Sequence, residues 1–171
     1  MAIQRVSQVG ERVIRTKAKR VSSSDKAVVG ALIKDLIETM HATDLIGIAA
    51  PQIGVSAQVF VTEIRKSKLR KRLVDVDGLR VFINPTITWV SKKVTAMDEG
   101  CGSVCHATLF GQVKRPAEVE VQALDEHFQP FTLRAKGLLA KCIQHEYDHL
   151  QGLVILDKFT DTKKCWVREN K

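Results

Sequence analysis

The sequence has few of the features that mark membrane-spanning, secreted or disulfide-stabilised proteins. No run of about 18 apolar residues occurs, which excludes a transmembrane helix. The first residues include basic side chains but no apolar stretch, so no secretory signal is expected. Four cysteines in 171 residues are too few for a disulfide framework and fit a reducing compartment.

Positive charge is what the chain has in excess. It contains 27 Lys and Arg against 19 Asp and Glu, a formal charge of +8. This charge favours polyanions such as ribosomal RNA, but a solvated basic surface explains it equally well, and no motif for nucleic acid or specific DNA is present. We expect a cytoplasmic protein of bacterial type, with an organellar location left open by the basic residues Arg5, Arg12 and Arg15.

The richest chemistry lies between residues 137 and 152. His145 and His149 enclose Glu146 in a His-Glu-x-x-His pattern. On a helix, residues four apart lie within roughly 40° of the same face, so two imidazoles can reach one metal ion. The rest of the predicted helix is apolar over most of its circumference, which indicates burial. Because unpartnered buried histidines are costly, metal ligation is favoured over two core histidines.

The identity of the third ligand decides the class of enzyme, because hydrolytic metal sites usually use three protein ligands and leave one position for water. Ile155 stands where a longer motif would need a third His, which excludes that class. Glu169 has the spacing of a zinc endopeptidase but lies in a polar C-terminal segment. Cys101 offers a thiolate, a good ligand for a borderline or soft divalent ion. Both Glu169 and Cys101 remain candidates on spacing alone.

The length and apolar content predict one domain over residues 1–160, followed by a short basic tail over 161–171. A helix is expected from the Ser-rich segment at Ser22 to about His41. Strands are expected over residues 58–64, 79–83, 86–90, 113–123 and 131–135, with a hairpin turn at Asp77-Gly78 and a break at Asn84-Pro85. These elements predict an α+β fold, with antiparallel sheets around a central buried helix that carries the histidines, plus an N-terminal helix.

Three segments together resemble the peptide deformylases, metal enzymes that remove the formyl group from nascent N-formylmethionyl chains and release formate. Residues 46–52, Ile-Gly-Ile-Ala-Ala-Pro-Gln, resemble the motif Gly-x-Gly-x-Ala-Ala-Pro-Gln without its first Gly. Residues 99–103, Glu-Gly-Cys-Gly-Ser, resemble Glu-Gly-Cys-x-Ser, and residues 144–150 match Gln-His-Glu-x-Asp-His-Leu. Three motifs in the right order are far more specific than any one of them.

The resemblance implies a role for each matching residue. Cys101, His145 and His149 would bind one divalent ion, natively Fe(II), with Zn(II), Ni(II) or Co(II) able to replace it. Glu146 would be the general base and acid, and Gln52, a turn residue on composition alone, would stabilise the oxyanion together with the Gly102 N–H. Six residues would bind the formylmethionyl peptide: Ile46, Gly47, Gly100, Leu138, Lys141 and Cys142. Glu99 and Arg115 would form a structural pair behind the metal loop.

Several positions depart from the family pattern. Leu45 stands where a Gly is usual, and Gly102 stands where Leu or a similar apolar residue is usual. Cys105 replaces a common Pro, and the stretch after it looks about two residues longer. We therefore expect a lost pocket wall at Gly102, a wider pocket mouth and a weaker preference for methionine, measurable as similar rates on formyl-Met and formyl-Ala peptides. The same departures keep open a catalytically impaired, metal-stabilised paralogue that associates with ribosomes.

Overall fold

The computed structural model describes residues 3–67 and 70–168. Within them, helix α1 spans Lys26–Ala42 and helix α2 spans Gly137–Leu150. The strands are β1 Gly47–Ala49, β2 Val59–Ile64, β3 Asp77–Val90, β4 Val94–Gly100, β5 Leu109–Pro116, β6 Glu118–Leu124, β7 Pro130–Lys136 and β8 Trp166–Val167. A five-stranded sheet has the order β1-β2-β3-β6-β7, and a three-stranded sheet has the order β4-β5-β8. The pairings are antiparallel, which confirms the expected α+β class.

The larger sheet is covered by a helix on each face. Strand β2 begins with three buried apolar residues, Val59, Phe60 and Val61, and alternate residues of a strand point to opposite faces. Phe60 belongs to the core cluster that contains Ile143 of α2, whereas Val59 and Val61 belong to the cluster that contains Leu36 of α1. The stripe of α2 that faces away from its histidines therefore forms the core, and the histidine side is left for a site.

The expected elements are present with some corrections. Ser22 and Asp25 form a capping box just before α1, as the Ser-rich segment indicated. The hairpin turn at Asp77-Gly78 is wrong, because both residues lie in β3 and Asp77 pairs with Ile64. The break at Asn84-Pro85 is also wrong as a strand end, because β3 continues through an irregularity in its register there. Turn-forming residues can be absorbed by a strand when a bulge accommodates them.

The single strand expected over residues 113–123 is in fact two strands, β5 and β6, which belong to different sheets. Pro116 ends β5, and the Ala117 N–H donates to the carbonyl of Lys93 instead of continuing the ladder. The division is functionally relevant, because it leaves Arg115 in the smaller sheet, beside α2.

Strand β8 lies in the segment that the sequence predicts as a basic tail. Trp166 pairs with Phe110 of β5, and their rings stack with centroids 4.6 Å apart. The Trp166 Nε1–H donates to Asp98 at 2.9 Å, and the Arg168 guanidinium lies 5.2 Å from the centre of the Phe110 ring. The chain is thus fixed to the smaller sheet as far as Arg168, whereas Glu169 lies outside the described residues.

The structure also bears on membrane-spanning helices and on the state of the cysteines. In the described ranges, no helix has both the length and the apolar character needed to cross a bilayer. The four cysteines, all of which lie in those ranges, are free thiols.

We predict that Asn84→Ala lowers the free energy of unfolding by about 2 kcal/mol. Asn84 is buried, its amide exchanges two hydrogen bonds with the backbone of Val21, at 2.9 and 2.8 Å, and its φ is +50°. Denaturation in urea measures the loss. Asn84→Gly, which also loses both bonds but tolerates a positive φ, should lose less. Equal losses would show that backbone strain contributes nothing at this position.

Candidate metal centre

Three potential metal ligands meet between the end of β4 and the histidine side of α2. The ligand atoms of Cys101, His145 and His149 all lie within 4.8 Å of one another. The Cys101 Sγ is 3.2 Å from His149 Nε2. One sulfur and two imidazole nitrogens form a donor set that suits Fe(II), Zn(II) and related divalent ions. Residues from two distant segments are thus combined into one site that fits the predicted ion.

The orientation of His145 is set by a buried carboxylate. Its Nδ1 lies 3.1 Å from Glu99 Oε2, so that Nε2 is left to face the ligand cluster. Arg115 donates to both oxygens of Glu99, at 2.8 and 3.1 Å, and also to Asp148 of α2 at 2.8 Å. The expected Glu99–Arg115 pair is confirmed, and both side chains are less than a tenth exposed.

Charges in this network control the protonation of the ligands. Burial alone would raise the pKa of Glu99, but hydrogen bonds from His145 and Arg115 outweigh it, and the pKa falls to about 2. Burial would likewise raise the pKa of the Cys101 thiol, yet the neighbouring His149 and His145 hold it well below its usual value. The Ser103 N–H also points at Cys101 Sγ, at 3.4 Å. The site therefore favours a thiolate, the form that binds a metal.

Glu146 lies on the same helix, one residue from His145, and its carboxyl is buried. Burial raises the pKa of Glu146 to about 7, even though both histidines act in the opposite direction. Within the described residues, Glu146 Oε2 and His149 Nδ1 are buried without a hydrogen-bond partner. A carboxyl whose pKa is near neutral and which has a free oxygen is suited to exchanging a proton with a bound molecule.

The Gln52 side chain is held in one orientation beside the cluster. Its Oε1 accepts a hydrogen bond from the Ala49 N–H at 2.7 Å, which places Nε2 toward Cys101 Sγ at 3.7 Å and Ser103 Oγ at 3.4 Å. The residue is fully buried in the turn Ala50–Ile53, which follows β1. Both contacts of Nε2 are long, so the amide remains available as a donor to a molecule in the site.

The N-terminal segment fixes the loop that carries Cys101. Gln8 donates from Nε2 to the carbonyl of Gly102 at 2.9 Å, and the Val9 N–H donates to the carbonyl of Ser103 at 2.8 Å. The Ser7 N–H donates to the carbonyl of Gln52 at 2.7 Å. One segment thus positions both the Cys101 loop and the Gln52 turn. Gln8 was not predicted as a site residue, because no local sequence pattern distinguishes a glutamine that bonds to a backbone 94 residues away.

A single cavity brings together nearly all residues predicted to act on a substrate. It is lined by Ile46, Gly47, Gln52, Gly100, Cys101, Gly102, Leu138, Lys141, Cys142, His145 and Glu146. His149 lies behind this surface, against Cys101. Sequence analysis did not include Phe110, Arg70 and Arg168, which also line the cavity. The sequence pattern gives no signal for them, because Phe110 is placed by strand pairing, Arg168 by the C-terminal strand and Arg70 by its hydrogen bonds to Asp44.

Two glycines of the cavity have neighbours that lie too close for a side chain. A Cβ at Gly47 would lie 2.6 Å from both Cys142 Sγ and Glu146 Oε1, and one at Gly100 would lie 2.8 Å from the Phe110 ring. Gly47 therefore lets β1 approach α2 at the position of Glu146. Gly102 also has a close neighbour: Leu45 Cδ1 lies 2.9 Å from where a Cβ would be, so Leu45 occupies the space next to the position where a lost pocket wall is expected from the sequence.

Comparison with known proteins gives consistent results. The family model described as Polypeptide deformylase matches residues 3–165. The peptide deformylase of Pseudothermotoga lettingae is 38% identical over 167 residues, which cover 98% of this chain and 89% of the relative. The peptide deformylase of Microchaete diplosiphon is 41% identical over 150 residues, covering 88% and 75%.

Solved structures of peptide deformylases superpose on most of this chain. A class I type b peptide deformylase from Acinetobacter baumannii, bound to Met-Ala-Ser, matches with a TM-score of 0.87 at 28% identity, covering 92% of this chain and 99% of that one. A peptide deformylase from Ehrlichia chaffeensis in complex with actinonin matches with a TM-score of 0.83 at 31% identity, covering 95% and 92%.

Removal of the Glu99 carboxylate should be strongly destabilising. We predict that Glu99→Ala lowers the free energy of unfolding by about 3 kcal/mol, because Arg115 then remains buried with only Asp148 as a counter-ion. Chemical denaturation measures the loss. The matched variant Glu99→Gln keeps the shape and one acceptor and should lose less. Unchanged stability in Glu99→Ala would show that the pair is not structural.

Proposed function

The chain belongs to the polypeptide deformylase family, and we propose that it is a metal-dependent hydrolase that removes the formyl group from N-formylmethionyl peptides. The observation that carries this proposal is the cluster of Cys101, His145 and His149, with the buried carboxyl of Glu146 beside it in the same cavity. Relatives bound to Met-Ala-Ser and to actinonin support a peptide as the ligand of this cavity.

Cys101, His145 and His149 would hold one divalent ion. Such an ion, when bound, supplies Lewis-acid chemistry: it lowers the pKa of water and polarises the formyl carbonyl. We propose Fe(II) in the cell, with Zn(II), Ni(II) or Co(II) as substitutes, because a thiolate and two imidazoles suit all of them. Arg115 and Glu99 keep His145 oriented for this role.

Glu146 is the proposed proton carrier. It accepts a proton from the attacking water and delivers it to the nitrogen of the leaving amine, so that the bond between the formyl carbon and that nitrogen breaks and formate is released. A pKa of about 7 suits both directions of transfer at neutral pH. Within the described residues, Glu146 Oε2 has no hydrogen-bond partner, which leaves this oxygen free for the exchange.

The formyl oxygen gains negative charge during the attack and needs hydrogen-bond donors. We assign this role to the Gln52 Nε2 and to the backbone N–H of Gly102. The amide of Gln52 is fixed by Ala49, and Gln8 fixes the loop at the carbonyl of Gly102, in the peptide that follows the one carrying the Gly102 N–H. Donors that are held before the substrate arrives need little reorganisation as charge develops.

The peptide part of the substrate would lie along β1. This strand is at the edge of the five-stranded sheet, and an extended peptide can add to such an edge through backbone hydrogen bonds. Gly47 and Gly100 line the cavity without side chains that would block it, and Ile46, Leu138, Cys142 and the stem of Lys141 would enclose the methionine side chain. We further propose that the protein works in the cytoplasm on nascent chains, where its charge of +8 favours ribosomal RNA.

The proposal predicts formate release from formyl-Met-Ala-Ser by protein purified without oxygen, with about one equivalent of bound metal, because the donor set provides one site. A chelator should abolish the activity, and an added divalent ion should restore it. Glu169→Gln serves as a control for the zinc endopeptidase alternative and should leave formate release and metal content unchanged. Cleavage of internal peptide bonds without formate release would contradict the proposal.

The proton-carrier role predicts that Glu146→Gln lowers kcat by roughly a hundredfold or more while the metal content stays unchanged. The amide keeps the volume of the side chain but cannot take up a proton. Kinetics with formyl-Met-Ala-Ser and metal analysis of the same preparation provide the two measurements. A variant that retains most of the wild-type kcat would exclude Glu146 as the proton carrier.

A further inference from the structure

Gly102 is a glycine for reasons of space and not of backbone conformation. Its φ is outside the left-handed region that favours glycine, so an L-residue could adopt the same backbone. A Cβ placed there would nevertheless lie 2.9 Å from Leu45 Cδ1 and 3.7 Å from Leu45 Cδ2. The position is buried, and the nearest side-chain atoms to the missing Cβ belong to Leu45 and Val6. The space that a side chain of residue 102 would enter is thus partly occupied by Leu45.

The backbone of Leu45 is held so that its side chain stays at that place. The Leu45 N–H donates to the carbonyl of Met40 at the end of α1, at 3.0 Å. Its own carbonyl accepts a hydrogen bond from Arg65 at 2.8 Å. The preceding residue, Asp44, has a φ of +53° and is bonded to Arg70. Leu45 therefore reaches the Cys101 loop from a turn that is anchored on both sides.

Leu45 and Gly102 both line the cavity that contains Gln52, Cys101 and Glu146. The family pattern that this chain resembles has the opposite arrangement, with a Gly at the first position and an apolar residue at the second. We propose that these two departures are one exchange, in which Leu45 supplies from the opposite loop the apolar wall that residue 102 would otherwise supply. Leu45 is then a specificity-determining residue of the cavity. This assignment rests on the function proposed above.

The exchange changes what is expected of the enzyme. A missing wall at Gly102 alone would widen the cavity, and an added leucine at residue 45 alone would narrow it. Because the two changes meet at the same point, the volume of apolar wall is conserved. The chain should therefore discriminate between formyl-Met and formyl-Ala peptides, contrary to the expectation from the sequence, and Leu45 and Gly102 are not marks of an impaired site.

A double-mutant cycle tests the exchange. Gly102→Leu alone should drive its side chain into Leu45 and lower both Tm and kcat/KM, the latter by roughly tenfold or more. Leu45→Gly alone should lower Tm and reduce the preference for formyl-Met over formyl-Ala peptides. The double variant should recover the wild-type Tm and the preference for formyl-Met peptides, and its kcat/KM should return to within about threefold of the wild type. Such recovery would show strong coupling between the two substitutions. Gly102→Leu combined with Leu153→Gly, outside the cavity, should show additive effects and serves as the control.

The outcomes separate this inference from the proposed function. Additive changes in Tm for Leu45→Gly and Gly102→Leu would overturn the exchange, whatever the activity. Recovery of Tm without recovery of the formyl-Met preference would overturn the role of Leu45 in specificity. A wild-type protein that releases no formate would refute the proposed function, whereas the Tm cycle would still decide whether the two side chains exchange places.

Discussion

The candidate site depends on one buried cation. Arg115 of β5 binds Glu99 of β4 on one side and Asp148 of α2 on the other, and Glu99 in turn contacts His145. Such a network is costly to build because every charge in it has lost water, and it is stable only while each member keeps its partners. It joins the smaller sheet, which carries the Cys101 loop, to the helix that carries both imidazoles. The orientation of His145 relative to the smaller sheet therefore depends on Arg115.

A second set of contacts places the polar groups around the ligands. The N-terminal segment bonds through its backbone and through Gln8 to the Cys101 loop and to the Gln52 turn. Gly47 allows β1 to approach Glu146 closely. The proposed proton carrier Glu146 and the proposed donors, the Gln52 amide and the Gly102 N–H, are thus brought to one cavity by three separate segments. Fixed donors and a carboxyl with a raised pKa are what hydrolysis of an amide requires from the protein.

The sequence alone predicted the parts of the site that depend on local spacing. His145 and His149 are one helical turn apart, so their common side of α2 could be derived from periodicity, and so could the apolar stripe of Ile143 and Leu150. The choice of Cys101 over Glu169 needed the family resemblance, because spacing does not show which distant loop reaches a helix. The turn at Asp77-Gly78 and the single strand over residues 113–123 were wrong for the same reason: strand register and the division between two sheets are set by tertiary pairing.

The departures at Leu45 and Gly102 show that motifs, too, are misinterpreted when tertiary contacts are unknown. Taken one at a time, an extra leucine and a missing side chain each suggest a damaged pocket. In the folded chain a Cβ on Gly102 would meet Leu45 at 2.9 Å, so neither residue can be interpreted without the other. Packing in a protein interior constrains the total side-chain volume more strictly than it constrains which residue supplies that volume. A comparison of motifs position by position does not show which side chains meet in the fold. It therefore counts the leucine at residue 45 and the glycine at residue 102 as two unrelated departures.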